Sequence, residues 1–118
     1  MVMQKQTNEI LLEVQGAVTV LDIRGDITAF SETSLGEAYR KASEQGAGKL
    51  LLKIENEAYI NSGGIAVLIQ ILAQTRRNDQ RVAITGISEH FKKIFNMVGI
   101  TKFAEVFDTT ELAVQAMR

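Results

Sequence analysis

Apolar residues along this chain follow two alternating rhythms: short runs rich in Val, Ile and Leu, and longer stretches whose apolar positions recur at helical spacing. The first two runs, 9–15 and 17–24, are parted by Gly16 and predict a β-hairpin. In the second run Val18 and Val20 fall on one side of a strand and Thr19, Leu21 and Ile23 on the other, because successive side chains point to opposite faces. Gly25 and Asp26 then mark a turn. Over 31–45, Leu35, Ala38, Tyr39 and Ala42 share one helical stripe, with Ser31 as the expected cap and Phe30 before it as a hydrophobic staple. Gly46 and Gly48 end that helix. Within 49–54 the unbroken Leu50-Leu51-Leu52 is the pattern of a parallel strand buried on both faces.

The alternation continues to the end of the chain. A helix is predicted over 62–77, with Ile65, Leu68, Ile69 and Leu72 on its stripe and Arg76, Arg77, Asn78 and Asp79 at a wet end. A strand follows at 82–85, then a helix at 88–98 through Phe91, Ile94, Phe95 and Val98, with Gly99 as its terminating glycine. Phe91, Phe95 and Met97 are expected in or near the core. A short strand at 104–107 precedes a last helix containing Leu112, Ala113, Ala116 and Met117, started by a capping box of Asp108 and Glu111. The order ββαβαβαβα, without internal repeat, predicts an α/β fold: a mixed, mostly parallel sheet of about four to five strands packed with about four helices. All of 1–118 reads as one domain, with 1–8 a flexible or edge segment.

Composition narrows the chemistry. A chain of 118 residues supports one core and one functional surface. Lys and Arg number 13 against 14 Asp and Glu, so there is no basic excess to collect nucleic acid. No apolar run approaches the roughly 18–20 residues of a membrane span, and the polar start, 1–8, is no signal peptide, which predicts a cytoplasmic protein without direct membrane insertion. Cysteine is absent, which removes disulfides, thiolate catalysis and zinc-thiolate sites. Proline is absent as well, so turns rely on Gly, Asn, Asp and Ser.

The segment 59–68, Tyr-Ile-Asn-Ser-Gly-Gly-Ile-Ala-Val-Leu, places a hydroxyl and two glycines where a strand hands over to a helix. The first turn of a helix has unpartnered N–H groups and the positive end of the dipole, and an anion is stabilised there. Ser62 therefore either caps the helix with its own oxygen or carries a phosphoryl group that the N–H groups tolerate. Gly63 and Gly64 leave the backbone bare, so that a large partner can reach the hydroxyl.

Three segments carry a resemblance over nearly the whole length: Arg24-Gly25-Asp26-Ile27, Asn61-Ser62-Gly63-Gly64-Ile65, and the run 91–99 from Phe91 to Gly99. With them the chain resembles a single STAS domain of the bacterial anti-sigma factor antagonists, or anti-anti-sigma factors. The resemblance implies a non-enzymatic regulator without a cofactor. It implies partner switching: the unphosphorylated antagonist binds an anti-sigma serine kinase, the phosphorylated form lets go, and a phosphoserine phosphatase resets it. In the family the helix-start motif reads Asp-Ser-Ser/Thr-Gly-Leu-Gly, and its phosphorylated hydroxyl falls on Ser62 here. The chain departs in having Asn61 for the family's aspartate and Gly63 for its second hydroxyl. Asp26-Ile27-Thr28 stands for the frequent Glu-Leu-Asp, with Thr28 in place of a second acid facing the partner, and Glu57 occupies a position that is usually apolar. The alternative reading is an unphosphorylated STAS scaffold or a transporter-associated regulatory subunit.

Around Ser62, Asn61 either touches the partner or stabilises its own turn. Ile27, Phe30, Tyr59 and Ile60 either form the apolar centre of a docking patch or close the rim of the core. Asn61, Gly63, Gly64, Thr28, Ile27, Tyr59 and Ile60 make up the expected binding surface. Other motifs read as structure: Arg24-Gly25-Asp26 suits a strand end rather than an adhesion signal, His90 sits at a solvent-facing helix start, and Arg76, Arg77 and Arg81 are solvated. No Lys-Ser/Thr follows Gly63-Gly64 in the register of a P-loop. Nucleotide binding, reported for some STAS domains, is a secondary expectation.

Overall fold

The computed structural model describes residues 8–118. Its elements are β1 (Glu9–Gln15), β2 (Val18–Arg24), α1 (Ser31–Glu44), β3 (Lys49–Ile54), α2 (Ser62–Arg77), β4 (Arg81–Thr85), α3 (Glu89–Met97), a 3-10 turn (Ile100–Lys102), β5 (Glu105–Val106) and α4 (Thr110–Ala116). The sheet runs β1-β2-β3-β4-β5; β1 is antiparallel to β2 and the other pairs are parallel. The expected element order and mixed sheet are therefore present. Of the segment 1–8, only Asn8 is among the described residues; its amide Nδ2 donates to the Arg24 and Asp26 carbonyls at 2.9 Å.

Strands β2 to β5 follow one another in space as in sequence. Right-handed crossovers then place all their connecting helices on one side. Accordingly α1, α2 and α3 bury Leu35, Tyr39, Leu68, Leu72 and Phe95 against Leu21, Ile23, Leu50, Leu52 and Ile84. The opposite face, with Val18, Val20, Leu51 and Ala83, meets Ala113 and Met117 at the chain end. The alternation of β2 thus separates two apolar clusters, and β3 is buried on both faces through Leu50-Leu51-Leu52.

Several local expectations change. Phe30 is exposed and staples nothing, and Ser31 is not a cap but the first residue of α1. Backbone bonds from Ser31 to Thr28 and from Glu32 to Ala29 already close the preceding turn, so no side-chain cap is required there. The Ser31 hydroxyl instead turns back and accepts from the Thr28 N–H at 3.0 Å. At α4 the cap is Thr109, whose hydroxyl accepts from the Leu112 N–H at 3.1 Å; Asp108 is drawn to Lys92. Phe91 and Phe95 are buried as expected, whereas Met97 is 82 % exposed, because it lies on the outer side of α3. Arg76 and Arg81 are not simply solvated. Arg76 lies over the Phe103 ring at 5.2 Å, and Arg81 donates to the Ala116 carbonyl and pairs with Glu105.

Candidate functional site

Parallel pairing brings the carboxyl ends of β2 and β3 to one edge, and the two chains stay joined beyond the sheet through a parallel bridge between Ile27 and Ile60. The Ile27 N–H donates to the Tyr59 carbonyl at 2.9 Å, and the Asn61 N–H donates to the Ile27 carbonyl at 3.2 Å. The Asp26 carboxylate accepts from the Tyr59 N–H at 2.9 Å. Together these bonds brace the β3–α2 loop, which delivers Ser62, against the β2–α1 loop. From the sequence Asp26 was a turn residue and part of the family-like segment after β2; its role as a brace shows only in the structure.

Close approach explains the two glycines. A Cβ at Gly64 would overlap the Ile27 carbonyl oxygen, and one at Gly63 would stand 2.9 Å from the Ala29 Cβ. The glycines therefore admit a neighbouring loop of the same chain. Gly64 is buried beneath it and is not open to a partner, which corrects that expectation. Ile27 and Ile60 are 0 % and 3 % exposed and belong to the main core cluster, so they too leave the expected binding surface. Their bridge turns both side chains inward. Thr28 is half-buried, and its hydroxyl accepts from the Phe30 N–H at 3.1 Å, which ties it to its own loop.

Ser62 is exposed and is the first residue of α2, not its cap. Capping falls to Asn61, whose extended backbone (φ −93°, ψ −179°) lets its Oδ1 accept from the Gly64 N–H at 2.9 Å. Of the two readings of Asn61, stabilisation of its own turn is the one seen. Four N–H groups at a helix start lack intrahelical partners. Here Asn61 bonds Ile27 and Gly64 bonds Asn61, which leaves those of Ser62 and Gly63 for water or an anion. No acidic residue lies in the first turn of α2 to offset the dipole.

Exposed aromatic side chains stand on the two loops that present this hydroxyl. Tyr59 is 61 % exposed and Phe30 is also open; the Tyr59 ring meets Phe91 edge-on with centroids 6.2 Å apart, and His90, exposed as expected, meets Phe91 with ring centroids 5.2 Å apart. Resolved charge shifts lie elsewhere. Hydrogen bonding to Asp108, then to Glu89, raises the Lys92 pKa, and the same Lys92 contact lowers that of Asp108; hydrogen bonding to Asp22 raises Arg24. Among the described residues there is no cluster of three or more potential metal ligands, and no helix is long and apolar enough to cross a membrane. A surface hollow of about 860 Å³ between β1 and α1 includes none of the residues around Ser62.

Known proteins share both the sequence pattern and the architecture. The anti-sigma-B factor antagonist of Staphylococcus aureus is 22 % identical over 90 residues, covering 76 % of this chain and 83 % of its own length. The protein of the same name from Staphylococcus epidermidis matches to the same extent. Among solved structures, an anti-sigma factor antagonist from Mycobacterium paratuberculosis superposes with a TM-score of 0.73 at 18 % identity, covering 92 % of each chain. The Bacillus cell-fate determinant SpoIIAA in its phosphorylated form does so with a TM-score of 0.66 at 18 % identity, covering 93 % of this chain and all of its own. The STAS domain profile matches residues 9–113, from the first strand into the last helix, and the chain belongs to the STAS domain family.

Proposed function

We propose that this chain is an anti-sigma factor antagonist that docks on an anti-sigma serine kinase through the surface around Ser62 and is switched off when Ser62 is phosphorylated. The observation that carries the reading is the division of labour at the start of α2. Asn61 does the capping, and the Ser62 hydroxyl is left exposed with two free N–H groups beside it. In the transfer, the Ser62 Oγ attacks the γ-phosphorus of ATP held by the kinase. A new O–P bond forms, ADP leaves, and the hydroxyl proton passes to a base of the kinase. The added charge, about −1.5 to −2, sits where the helix dipole favours it, so the fold tolerates it while the docking surface does not.

Tyr59 and Phe30 supply the apolar contacts of that surface, Gly63 lets the Ala29 loop lie close beside Ser62, and Thr28 and Asn61 hold the two loops in place. A phosphatase that removes the phosphate restores binding. The setting is the cytoplasm, and the protein itself turns over no substrate. Asn61 in place of an acid is compatible with this role, because capping needs an oxygen acceptor and not a charge. The names of the relatives, anti-sigma-B factor antagonists, support the same reading.

Affinity capture from the source cells with wild type, Ser62→Ala and Ser62→Asp as baits tests it. The expected result is a kinase-type ATPase retained by the first two and lost with Ser62→Asp. Equal capture by all three baits would instead establish a constitutive scaffold or a transporter-associated subunit.

A further inference from the structure

The face of the sheet covered by α4 ends in a polar crevice separate from the Ser62 surface. Beyond the apolar row Val20, Leu51 and Ala83, the next residues on that face are Asp22, Lys53 and Thr85, aligned across three parallel strands. They contribute to a crevice of about 290 Å³ whose other walls include Arg24, Glu55 and Asp108. That size is at the lower edge of the roughly 300–1,000 Å³ of small-molecule sites, so an occupant is a small metabolite.

Thr85 is the unusual member. It is 2 % exposed, and its Oγ1 has no hydrogen-bond partner. Buried hydroxyls are normally satisfied, and an apolar residue of the same shape would suit the floor of an empty crevice better. Gly86 follows with φ +93°, where a Cβ would overlap the Ile54 carbonyl oxygen, so the end of β4 is held hard against β3 below the crevice.

The charges around Thr85 are already partly spoken for. Asp22 is held by Arg24 through two bonds at 3.1 Å, and Asp108 by Lys92 at 2.6 Å. Among the described residues, neither the Lys53 ammonium nor the Glu55 carboxylate has an ion-pair partner. A purely anionic ligand would face three carboxylates, Asp22, Glu55 and Asp108, and a bare cation would face Lys53 and Arg24. A molecule with both charges a few ångströms apart satisfies both sides. We propose that this crevice binds a small zwitterion of the free amino acid class, with its carboxylate on Lys53 and the Thr85 hydroxyl and its ammonium on Glu55.

Titration of the full chain with each L-amino acid, followed by amide NMR shifts, tests this, with acetate, methylammonium and inorganic phosphate as single-charge controls. The expected result is saturable shifts at Lys53, Glu55, Thr85 and Gly86 from at least one amino acid and from none of the controls. Thr85→Val should weaken that binding about tenfold, the loss of one hydrogen bond to a charged group. In the free protein the same variant should raise the unfolding midpoint, because the unpartnered hydroxyl is gone. Lys53→Gln, at an exposed position, should abolish saturation without affecting the fold. The proposal is overturned if no amino acid gives saturable shifts at millimolar concentration, if phosphate or acetate saturates the same residues equally well, or if both variants bind as wild type does.

Discussion

One face of the sheet packs against three helices and the other against a single short one, and the two faces serve different ends. The three-helix face holds the larger apolar cluster and, at its upper edge, the braced loops that present Ser62. The α4 face holds a smaller cluster and gives way to polar side chains within one strand step, at Asp22, Lys53 and Thr85. The asymmetry follows from connection handedness: once β2 to β5 are laid down in spatial order, every crossover helix goes to the same side. The larger apolar cluster lies where the crossovers are, and the polar row lies on the other face.

Truncation of one buried anchor on each face tests this comparison most strongly. Phe95→Ala, at a fully buried position under the three-helix face, should cost about 3–5 kcal/mol, whereas Met117→Ala should cost about 2 kcal/mol, the low end for such truncations. The end of α4 can shift into the space left behind, and the centre of the larger cluster cannot. Urea unfolding measures both, and equal costs would erase the distinction between the faces.

Next in size is Gly64→Ala, which puts a methyl group into the Ile27 carbonyl and should cost about 1–3 kcal/mol. Faster amide exchange of Ile27 and Asn61 should accompany the loss, because their N–H groups make the bonds that join the two loops. A variant as stable as wild type, with unchanged exchange, would show that the brace does not hold the loop that presents Ser62.

The smallest effect belongs to the surface pair Lys92–Asp108 beside α4. Its bond to Lys92 holds the Asp108 carboxyl below the ordinary carboxylate range, so its contribution is present above the unfolded pKa and is lost as pH falls through the lower folded one. Lys92 is raised above 10.5, so its contribution is full below that pH and is lost as pH rises through the raised value. A stability difference between wild type and Lys92→Met should therefore hold through neutral pH and shrink at both extremes. A difference that persisted in strong acid would mean that packing of the Lys92 stem, and not charge, is responsible.

How much of this was legible beforehand depended on distance along the chain. The helix at Ser62–Arg77 and the strand at Lys49–Ile54 match their sequence-based bounds, since periodicity and flanking glycines are local signals. Gly99 likewise takes the left-handed conformation expected just past a helix end (φ +88°). The caps at Asn61 and Thr109 each lie one residue away from the candidates Ser62 and Asp108. Which of two adjacent polar residues caps depends on where the preceding loop is anchored, and at Asn61 the anchor is Ile27, far away in the chain. The choice between surface patch and core for Ile27 and Ile60 stayed open for the same reason: two isoleucines in separate loops fit either until a bridge joins them.

By itself, then, the sequence determined the order of strands and helices, the two-sided burial of the central strand and the position of the Ser62 hydroxyl at a helix start, because each is written in a window of a few neighbouring residues. Tertiary structure alone decided that Asn61 caps while Ser62 stays exposed, that Gly64 admits a carbonyl of its own chain and not a partner, and that Asp22, Lys53 and Thr85 share one crevice. Those outcomes depend on parallel pairing between segments some thirty residues apart, and strand register is a property of the assembled sheet that no local window contains.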